Sequence, residues 1–258
     1  TVIRRRRVTN AGGLPERQPR MKVVVIVSAN AEWRVVKELY PDLVLQQSPL
    51  GEFANLALDD WRVTLFHGGW GKVSAAASAQ YVIDHFQPDL LVNLGTCGGF
   101  AGRIETGTVI LVERALIYDI IEQMGDAAGA IAHYTTEIDL SWLDNRPQAA
   151  DNADGGPSSV IRGLLVSADR DILAADIPML IEKYGAVAAD WESGAIAWTA
   201  KRNGTRCLIL RGVSDLVGDG GGEAYGNLEL FHERTRTVMR GLFEQLPEWL
   251  KKSVVKSD

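Results

Sequence analysis

Short apolar runs alternate with helical stretches along most of this chain, and this alternation limits its possible folds more than any other feature. Val23–Val27 is an unbroken run of β-branched residues, which is typical of a strand buried on both faces. Lys72–Phe86 instead spaces its apolar residues along one face of a helix. The alternation predicts an α/β fold in which helices cover both faces of a largely parallel sheet.

The same pattern predicts further elements. Other predicted strands are Val63–Phe66, Leu90–Leu94, Thr108–Val112, Ala186–Asp190 and Leu208–Gly212. Two more helices are predicted, Glu192–Asn203 and Leu228–Lys252, and Pro247 should kink or interrupt the second. Ligands of such sheets bind at the carboxyl ends of strands, so polar residues directly after an apolar run are the candidate site residues.

The length and composition fit one globular unit with a basic extension. With 258 residues and 46% hydrophobic content, the chain can bury one sizeable core, so we expect residues 21–258 to form a single domain. Residues 1–20 hold six Arg and one Glu among Gly and Pro, which predicts a disordered basic extension. The chain has no apolar run of about 18 residues, so we expect no membrane span.

The charge balance disfavours several classes of function. The net charge is −6 and residues 1–20 contribute +5, so the remainder carries −11. An acidic body disfavours nucleic-acid binding but is compatible with a neutral nucleoside. Cys97 and Cys207 are far apart, which argues against a disulfide framework and fits a cytoplasmic protein. The four histidines lack metal-ligand spacing, so we expect neither a metal nor a cofactor.

Two glycine-rich segments bear on ligand binding. Gly68–Lys72 is followed by Val73 rather than by Ser or Thr, so it is not a phosphate-binding P-loop, and we interpret it as a tight turn before a helix. Gly95–Gly99 does not have the spacing of a dinucleotide-binding loop. Its glycines could still let the backbone approach a ligand closely, and the pattern leaves that question open.

Three acids each come shortly after a predicted strand, namely Glu32, Glu192 and Asp215. Taken singly, each is typical of an acid that caps a helix. Taken together they suggest a shared cleft, in which one carboxylate stays ionised as a base while another keeps its proton as an acid. Cleavage of a glycosidic bond needs that division of labour.

Several motifs together resemble those of the purine nucleoside phosphorylase/nucleosidase superfamily, and most closely its 5′-methylthioadenosine/S-adenosylhomocysteine nucleosidases. The resemblance covers about residues 21–250, with the motifs in the order and roughly the spacing of the family. The motifs are VIVSANAE at Val25–Glu32, GWGKVSAA at Gly69–Ala76 with NLGTCGG at Asn93–Gly99, DWESGAIA at Asp190–Ala197, and RGVSD at Arg211–Asp215.

The resemblance implies a three-layer αβα fold around a mixed sheet, usually assembled as a homodimer. It also implies a role for the first acid. The position that matches Glu32 activates the attacking water, and Arg211 and Thr96 resemble residues that help to hold that water. No cofactor is implied.

The resemblance gives the other two acids separate roles. Glu192 matches the acid that binds the ribose hydroxyls, with the main chain of Trp191 beside it. Asp215, supported by Ser214, matches the acid that protonates N7 of the leaving purine. A purine anion is a poor leaving group, so this protonation helps the C1′–N9 bond to break.

Other positions bear on the identity of the substrate. Gly98 and the main chain near Ile172 resemble contacts to the base or ribose. Asp171 stands where the family has an aromatic residue that stacks on the base, and it is either a base contact or a solvated loop acid. Trp191 replaces the usual Met, and Tyr225 matches an aromatic residue near the 5′ substituent or is a surface turn residue.

The resemblance favours hydrolysis over phosphorolysis. Related hexameric phosphorylases carry an Arg where this chain has Asn93, and a Gly-Asp-Pro-x-Arg-like segment where it has Ser28–Glu32. We therefore expect hydrolysis of 5′-methylthioadenosine or S-adenosylhomocysteine to adenine and the 5-substituted ribose. The alternatives are a phosphorylase, a hydrolase of futalosine, inosine or 5′-deoxyadenosine, and a non-catalytic nucleoside-binding or storage protein.

Overall fold

The computed structural model describes residues 21–143 and 160–254. Its central feature is an 11-stranded mixed sheet with the strand order β11-β10-β6-β8-β9-β5-β1-β4-β3-β2, in which β7 pairs with β6. The predicted extension at residues 1–20 lies outside the described residues, as do residues 144–159 and 255–258. Among the helices that are described, none is long and apolar enough to cross a bilayer.

The elements follow the alternation seen in the sequence. The strands are β1 (Val23–Val27), β2 (Gln46–Gln47), β3 (Glu52–Leu58), β4 (Trp61–His67), β5 (Leu90–Phe100), β6 (Val109–Ile117), β7 (Thr135–Glu137), β8 (Val160–Ser167), β9 (Ala186–Asp190), β10 (Cys207–Gly218) and β11 (Gly221–Gly222). The α-helices are α1 (Asn30–Leu39), α2 (Lys72–Phe86), α3 (Ala127–His133), α4 (Ile177–Tyr184), α5 (Ser193–Arg202) and α6 (Leu228–Lys252), and a 3₁₀ turn at Ala174–Asp176 precedes α4.

Helices cover both faces of the sheet, and β1 shows why. Successive side chains of a strand point to opposite faces. Val23 and Val25 join one apolar cluster with residues of α1 and α6, while Val24 and Ile26 join another with residues of α2 and α5. Every side chain of β1 is buried, as its β-branched run predicts. The three-layer αβα prediction is confirmed.

The sheet extends beyond β1 on one side. β1 lies between β4 and β5 and is parallel to both, but its pairing with β5 ends at Leu94. β5 continues to Phe100, paired in parallel with β10 and, at Gly98 and Gly99, antiparallel with β9. β10 has a register irregularity between Val213 and Asp215. The longest strands therefore project past their neighbour, and the space beyond the end of β1 is left open.

Two local expectations need correction. Thr96–Gly99 and Ser214–Asp215 were expected to follow strands, but both segments lie inside the long strands β5 and β10. Their glycines and polar side chains hid the strand continuation, because they break the apolar run.

Pro247 also lies inside α6 without ending the helix. Packing of Leu246 and Leu250 in the apolar cluster below α6 offsets the hydrogen bond that the proline removes.

Candidate active site

A cavity of about 550 Å³ opens where β5 and β10 run past the end of β1. The N-terminal ends of α1 and α5 and the segment after β10 complete its wall. The predicted site residues that line it are Glu32, Thr96, Gly98, Asp171, Ile172, Trp191, Glu192, Ser214, Asp215 and Tyr225. Arg211 lies fully buried behind the wall and reaches three of the acids there.

Arg211 is one cation among three carboxylates. Its Nη2 lies 2.9 Å from Oδ2 of Asp190 and 3.6 Å from Oε2 of Glu192, and its Nη1 lies 3.8 Å from Oε1 of Glu32. All four side chains are almost completely removed from water. Because a buried charge is costly unless it is paired, this excess of carboxylates must be relieved by hydrogen bonds or by protonation.

Asp190, which the sequence analysis did not predict as a site residue, anchors this group. Its Oδ2 accepts hydrogen bonds from the main chain and hydroxyl of Ser193, and its Oδ1 accepts one from Ser167 Oγ at 2.5 Å. Arg211 Nε in turn donates to Ser193 Oγ, and Nη2 donates to Asn93 Oδ1, both at 2.8 Å. The guanidinium is therefore oriented by the first turn of α5 and by β5.

Glu32 is held rigidly at the first turn of α1. Its Oε1 accepts hydrogen bonds from the N–H and the hydroxyl of Thr96, at 2.6 and 2.9 Å, and its Oε2 accepts one from Ala29 N at 3.2 Å. The bond from Ala29 is half of a capping box, so the helix-capping interpretation was partly right. A Cβ at Gly95 would lie 1.8 Å from Arg211 Nη1 and 2.8 Å from Glu32 Oε1, so this glycine makes room for both groups.

Glu192 stands at the N-cap position of α5, but its side chain does not cap the helix. Instead its Oε1 accepts a hydrogen bond from Gly71 N at 3.1 Å, across the cavity wall. Burial raises the pKa of Glu192 to about 8, and the nearby Asp190 and Glu32 add to the rise, while Arg211 opposes it. This carboxyl therefore changes its protonation state close to neutral pH.

Asp215 lies further along the same two strands than Thr96, opposite Gly98 at the irregular register of β10. Ser214 Oγ donates a hydrogen bond to its Oδ1 at 2.7 Å. Burial raises the pKa of Asp215, although the Ser214 hydrogen bond and the charge of Arg234 oppose the rise. A carboxyl that keeps its proton more readily than usual is suited to act as an acid.

Four aromatic side chains line the cavity, and two of them, Trp70 and Phe231, were not predicted as site residues. The rings of Trp70 and Trp191 lie 5.3 Å apart at an angle of 49° beside Glu192, and Trp70 is 58% exposed. Phe231 from α6 also lines the cavity. A tryptophan between two glycines at the start of α2 was the available sequence signal for Trp70, but we interpreted that segment only as a turn.

The start of α2 and the segments after β6 and β8 are tied together by charged groups. Lys72 N donates a hydrogen bond to Oδ1 of Asp169 at 2.7 Å, and its ammonium pairs with Asp119. Asp169 N donates to Oδ2 of Asp119 at 2.9 Å. These contacts fix the turn that holds Gly71 relative to the segment that holds Asp171, so the glycine turn predicted before α2 also shapes the site.

The cavity is acidic and offers no cationic side chain. Among the described residues that line it, the charged ones are all carboxylic acids, and none is Lys, Arg or His; the acids are Glu32, Asp171, Asp190, Glu192 and Asp215. Residues 21–143 and 160–254 contain no group of His, Cys, Asp and Glu arranged to hold a metal. The site can thus exchange protons with a neutral, hydroxyl-rich ligand, and it repels anions.

Comparison with known proteins agrees with this arrangement. The sequence model of the phosphorylase superfamily matches residues 22–246. The chain belongs to the phosphorylase superfamily. A similar curated member, the 5′-methylthioadenosine/S-adenosylhomocysteine nucleosidase of Geobacillus kaustophilus, is 28% identical over 187 residues, which cover 67% of this chain and 75% of that protein.

Solved structures of the superfamily share the fold. The 5′-methylthioadenosine/S-adenosylhomocysteine nucleosidase of Colwellia psychrerythraea, solved in complex with adenine, has a TM-score of 0.75 at 22% identity, covering 93% of this chain and 98% of that chain. The Neisseria meningitidis nucleosidase, in complex with methylthio-immucillin-A, has a TM-score of 0.71 at 22% identity, covering 91% and 100%. These likenesses confirm the predicted α/β architecture.

Proposed function

We propose that this superfamily member hydrolyses the N-glycosidic bond of a purine nucleoside, with 5′-methylthioadenosine or S-adenosylhomocysteine as the leading substrate. The products are adenine and the 5-substituted ribose. The observation that carries the proposal is that Glu32, Glu192 and Asp215 line one cavity in three different environments. Curated relatives that carry the nucleosidase name support the choice of substrate.

At one end, Glu32 serves as the base for water. Three hydrogen bonds hold its carboxylate in place, and Arg211 lies behind it, so the group needs no reorganisation when it accepts a proton. Thr96, which also lines the cavity, can orient the water, whereas Arg211 is buried behind the wall and orients the Glu32 carboxylate. As the proton moves to Glu32, the water oxygen forms its bond to C1′ of the ribose.

At the other end, Asp215 serves as the acid for the purine. It donates its proton to N7 as the C1′–N9 bond breaks and the electron pair of that bond moves to the base. General acid catalysis of this kind contributes typically about 10²–10⁴-fold. Ser214 keeps the carboxyl oriented, and burial raises its pKa so that it keeps its proton more readily than an exposed Asp.

Between the two ends, Glu192 binds the ribose hydroxyls. The carboxyl faces the cavity beside Trp191 and is fixed by Gly71. As the C1′–N9 bond breaks, the sugar becomes positively charged, and the acids around it stabilise that charge. The tilted faces of Trp70 and Trp191 flank this ribose region and offer apolar area to the 5′ substituent.

The same cavity argues against phosphorolysis. A phosphate ion needs Arg or backbone donors that are free to bind it. Here the lining acids would repel a phosphate, and Arg211 is already occupied by Asp190, Asn93 and Ser193. Water, which is neutral, meets no such barrier. This distinction favours a nucleosidase over a phosphorylase.

The test is a panel of purine nucleosides, including 5′-methylthioadenosine, inosine, futalosine and 5′-deoxyadenosine, incubated with and without phosphate. The proposal predicts free base and free reducing sugar at a rate that does not depend on phosphate. Formation of ribose 1-phosphate derivatives would replace it with phosphorolysis. Binding without any product would favour a non-catalytic nucleoside-binding protein.

We further propose that residues 21–258 act as one domain in a cytoplasmic homodimer. Two isolated buried thiols suit a reducing compartment. Large apolar side chains stand exposed on the loop after β6 and at the start of α2, which suits a surface covered by a second copy; they are Ile121, Met124 and Val73. Sedimentation velocity should give a dimer mass, and Met124→Glu should shift it toward the monomer.

A further inference from the structure

The hydroxyl of Tyr225 hydrogen-bonds to both main-chain polar groups of Ile172, a residue that lines the cavity. It accepts a hydrogen bond from Ile172 N at 2.9 Å and donates one to Ile172 O at 3.1 Å. The N–H and the C=O of the same peptide segment are therefore both satisfied by a single side-chain oxygen. Such a bridge closes off the only polar atoms that Ile172 can present to the cavity.

This peptide edge lies at the end of the cavity that holds Asp215. Ile172 and Asp215 both line the cavity, and Ile172 contacts Gly98 at the same end. One donor and one acceptor on neighbouring main-chain atoms match a purine edge that offers a ring nitrogen and an amino group. The edge is thus suited to bind the base whose N7 meets Asp215, provided that the Tyr225 hydroxyl leaves it.

We propose that Tyr225 determines base affinity because its hydroxyl binds the purine-binding edge of Ile172, so that the base binds by displacing this hydroxyl. This inference rests on the proposed function, because it takes the ligand at this end to be a purine. Tyr225 is then a specificity-determining residue whose hydroxyl competes with the substrate, rather than a residue that adds to substrate binding through its hydroxyl.

The segment that carries Tyr225 is built for such a displacement. Gly221 and Gly226 on either side of it adopt φ values of +90° and +74°, which side-chain-bearing residues rarely adopt. The ring packs directly over Gly222, where a Cβ would lie 2.5 Å from the ring Cε1 atom. Tyr225 is 43% exposed, so the ring can turn outward without crossing the protein core.

The hydroxyl also stays protonated, as the bridge requires. Burial raises the pKa of Tyr225 to about 12, and the charges of Asp171 and Asp215 add to the rise. The O–H can therefore donate to Ile172 O over the whole range in which the enzyme is handled.

The decisive variant is Tyr225→Phe, tested by titration calorimetry with adenine as the probe. The variant keeps the ring and removes the two hydrogen bonds that the base must displace, so adenine should bind about three- to tenfold more tightly than to the unmodified protein. Gly222→Ala keeps the hydroxyl but pushes the ring away, and it should tighten binding in the same direction. Tyr184→Phe, which removes a hydroxyl outside the cavity, should leave binding unchanged.

A second readout does not depend on catalysis. Hydrogen exchange of the Ile172 amide in the ligand-free protein should be slower in the unmodified chain than in Tyr225→Phe, and saturating adenine should remove the difference. Equal or weaker adenine binding by Tyr225→Phe would overturn the inference, as would an Ile172 amide that exchanges equally fast in both free proteins. If no purine nucleoside is cleaved, the proposed function fails, but the exchange comparison still tests the bridge.

Discussion

The two ends of the cavity differ in how firmly their acids are held. Around Arg211, three carboxylates share one guanidinium and a dense set of hydrogen bonds from α1, β5 and α5. At the far end, Asp215 has Ser214 as its side-chain hydrogen-bond partner and faces a glycine-rich segment that carries Tyr225. The first end is preorganised by buried charge, and the second leaves space for movement.

Under the proposed function, this contrast separates the end that activates water from the end that binds the purine. The end that handles water must hold a base in one position, which buried ion pairs and helix termini achieve. The end that holds the purine must admit and release it, so it is built from a segment with positive-φ glycines and a half-exposed tyrosine. Asp171, one departure from the family pattern, is the chain neighbour of Ile172 at this second end.

The largest effect is expected from Arg211→Met, which removes the cation shared by three buried acids at the first end of the cavity. Removing the guanidinium leaves three buried carboxylates unpaired, and breaking such a buried pair costs about 3–5 kcal/mol. Urea unfolding should show this loss. The control is Arg236→Met, which removes an exposed ion pair with Glu38 and should leave the midpoint almost unchanged. Similar midpoints for the two variants would refute the structural role of the Arg211 group.

Glu32→Gln should abolish turnover while leaving the fold and the binding site in place. The amide keeps the size of the side chain but cannot accept a proton from water, so kcat should fall by about 10²–10⁴-fold. The affinity for adenine should change little, because Glu32 faces the water and not the base. Rapid-quench assays of adenine release measure the first effect, with Glu38→Gln on the exposed face of the same helix as control. A rate within twofold of the unmodified enzyme would remove Glu32 from the mechanism.

Glu192→Gln should change the pH dependence of stability. The folded pKa is raised from 4.5 to about 8, so between these values the folded protein holds a proton that the unfolded chain releases. Stability should therefore fall as pH rises through this window, by at most about 1.4 kcal/mol per pH unit. The glutamine variant should lose most of this slope. Unfolding curves at pH 5, 6.5 and 8 measure it, and parallel slopes for both proteins would contradict the assignment.

Much of the fold could be predicted from the pattern of apolar residues. The helices α2 and α6 begin and end where their periodicity predicts, and β1 and β9 match their apolar runs. The strands β5 and β10 could not be delimited in this way, because their site-forming halves contain glycines and polar residues. Hydrogen bonding to neighbouring strands, rather than local preference, keeps those halves extended.

The sequence pointed to three acids that line the cavity but not to Asp190, which lies beside them. Glu32, Glu192 and Asp215 could be found because each follows an apolar run, and the structure brings all three to one cavity. Asp190 was missed because it was counted as the last residue of the predicted strand Ala186–Asp190 and not as a polar residue that follows it. Its partnership with Arg211 and Ser193 depends on contacts between distant parts of the chain.

Assaying two variants on two substrates tests most directly whether Glu32 and Asp215 have separate roles. Glu32→Gln and Asp215→Asn are each assayed on 5′-methylthioadenosine and on a nitrophenyl 5-methylthioriboside, whose leaving group needs no proton at N7. The account predicts that Glu32→Gln slows both substrates by about 10²–10⁴-fold, while Asp215→Asn slows only the purine substrate to that extent. If Asp215→Asn slowed both substrates equally, or if Glu32→Gln spared either one, the separation of water activation from base protonation would be contradicted.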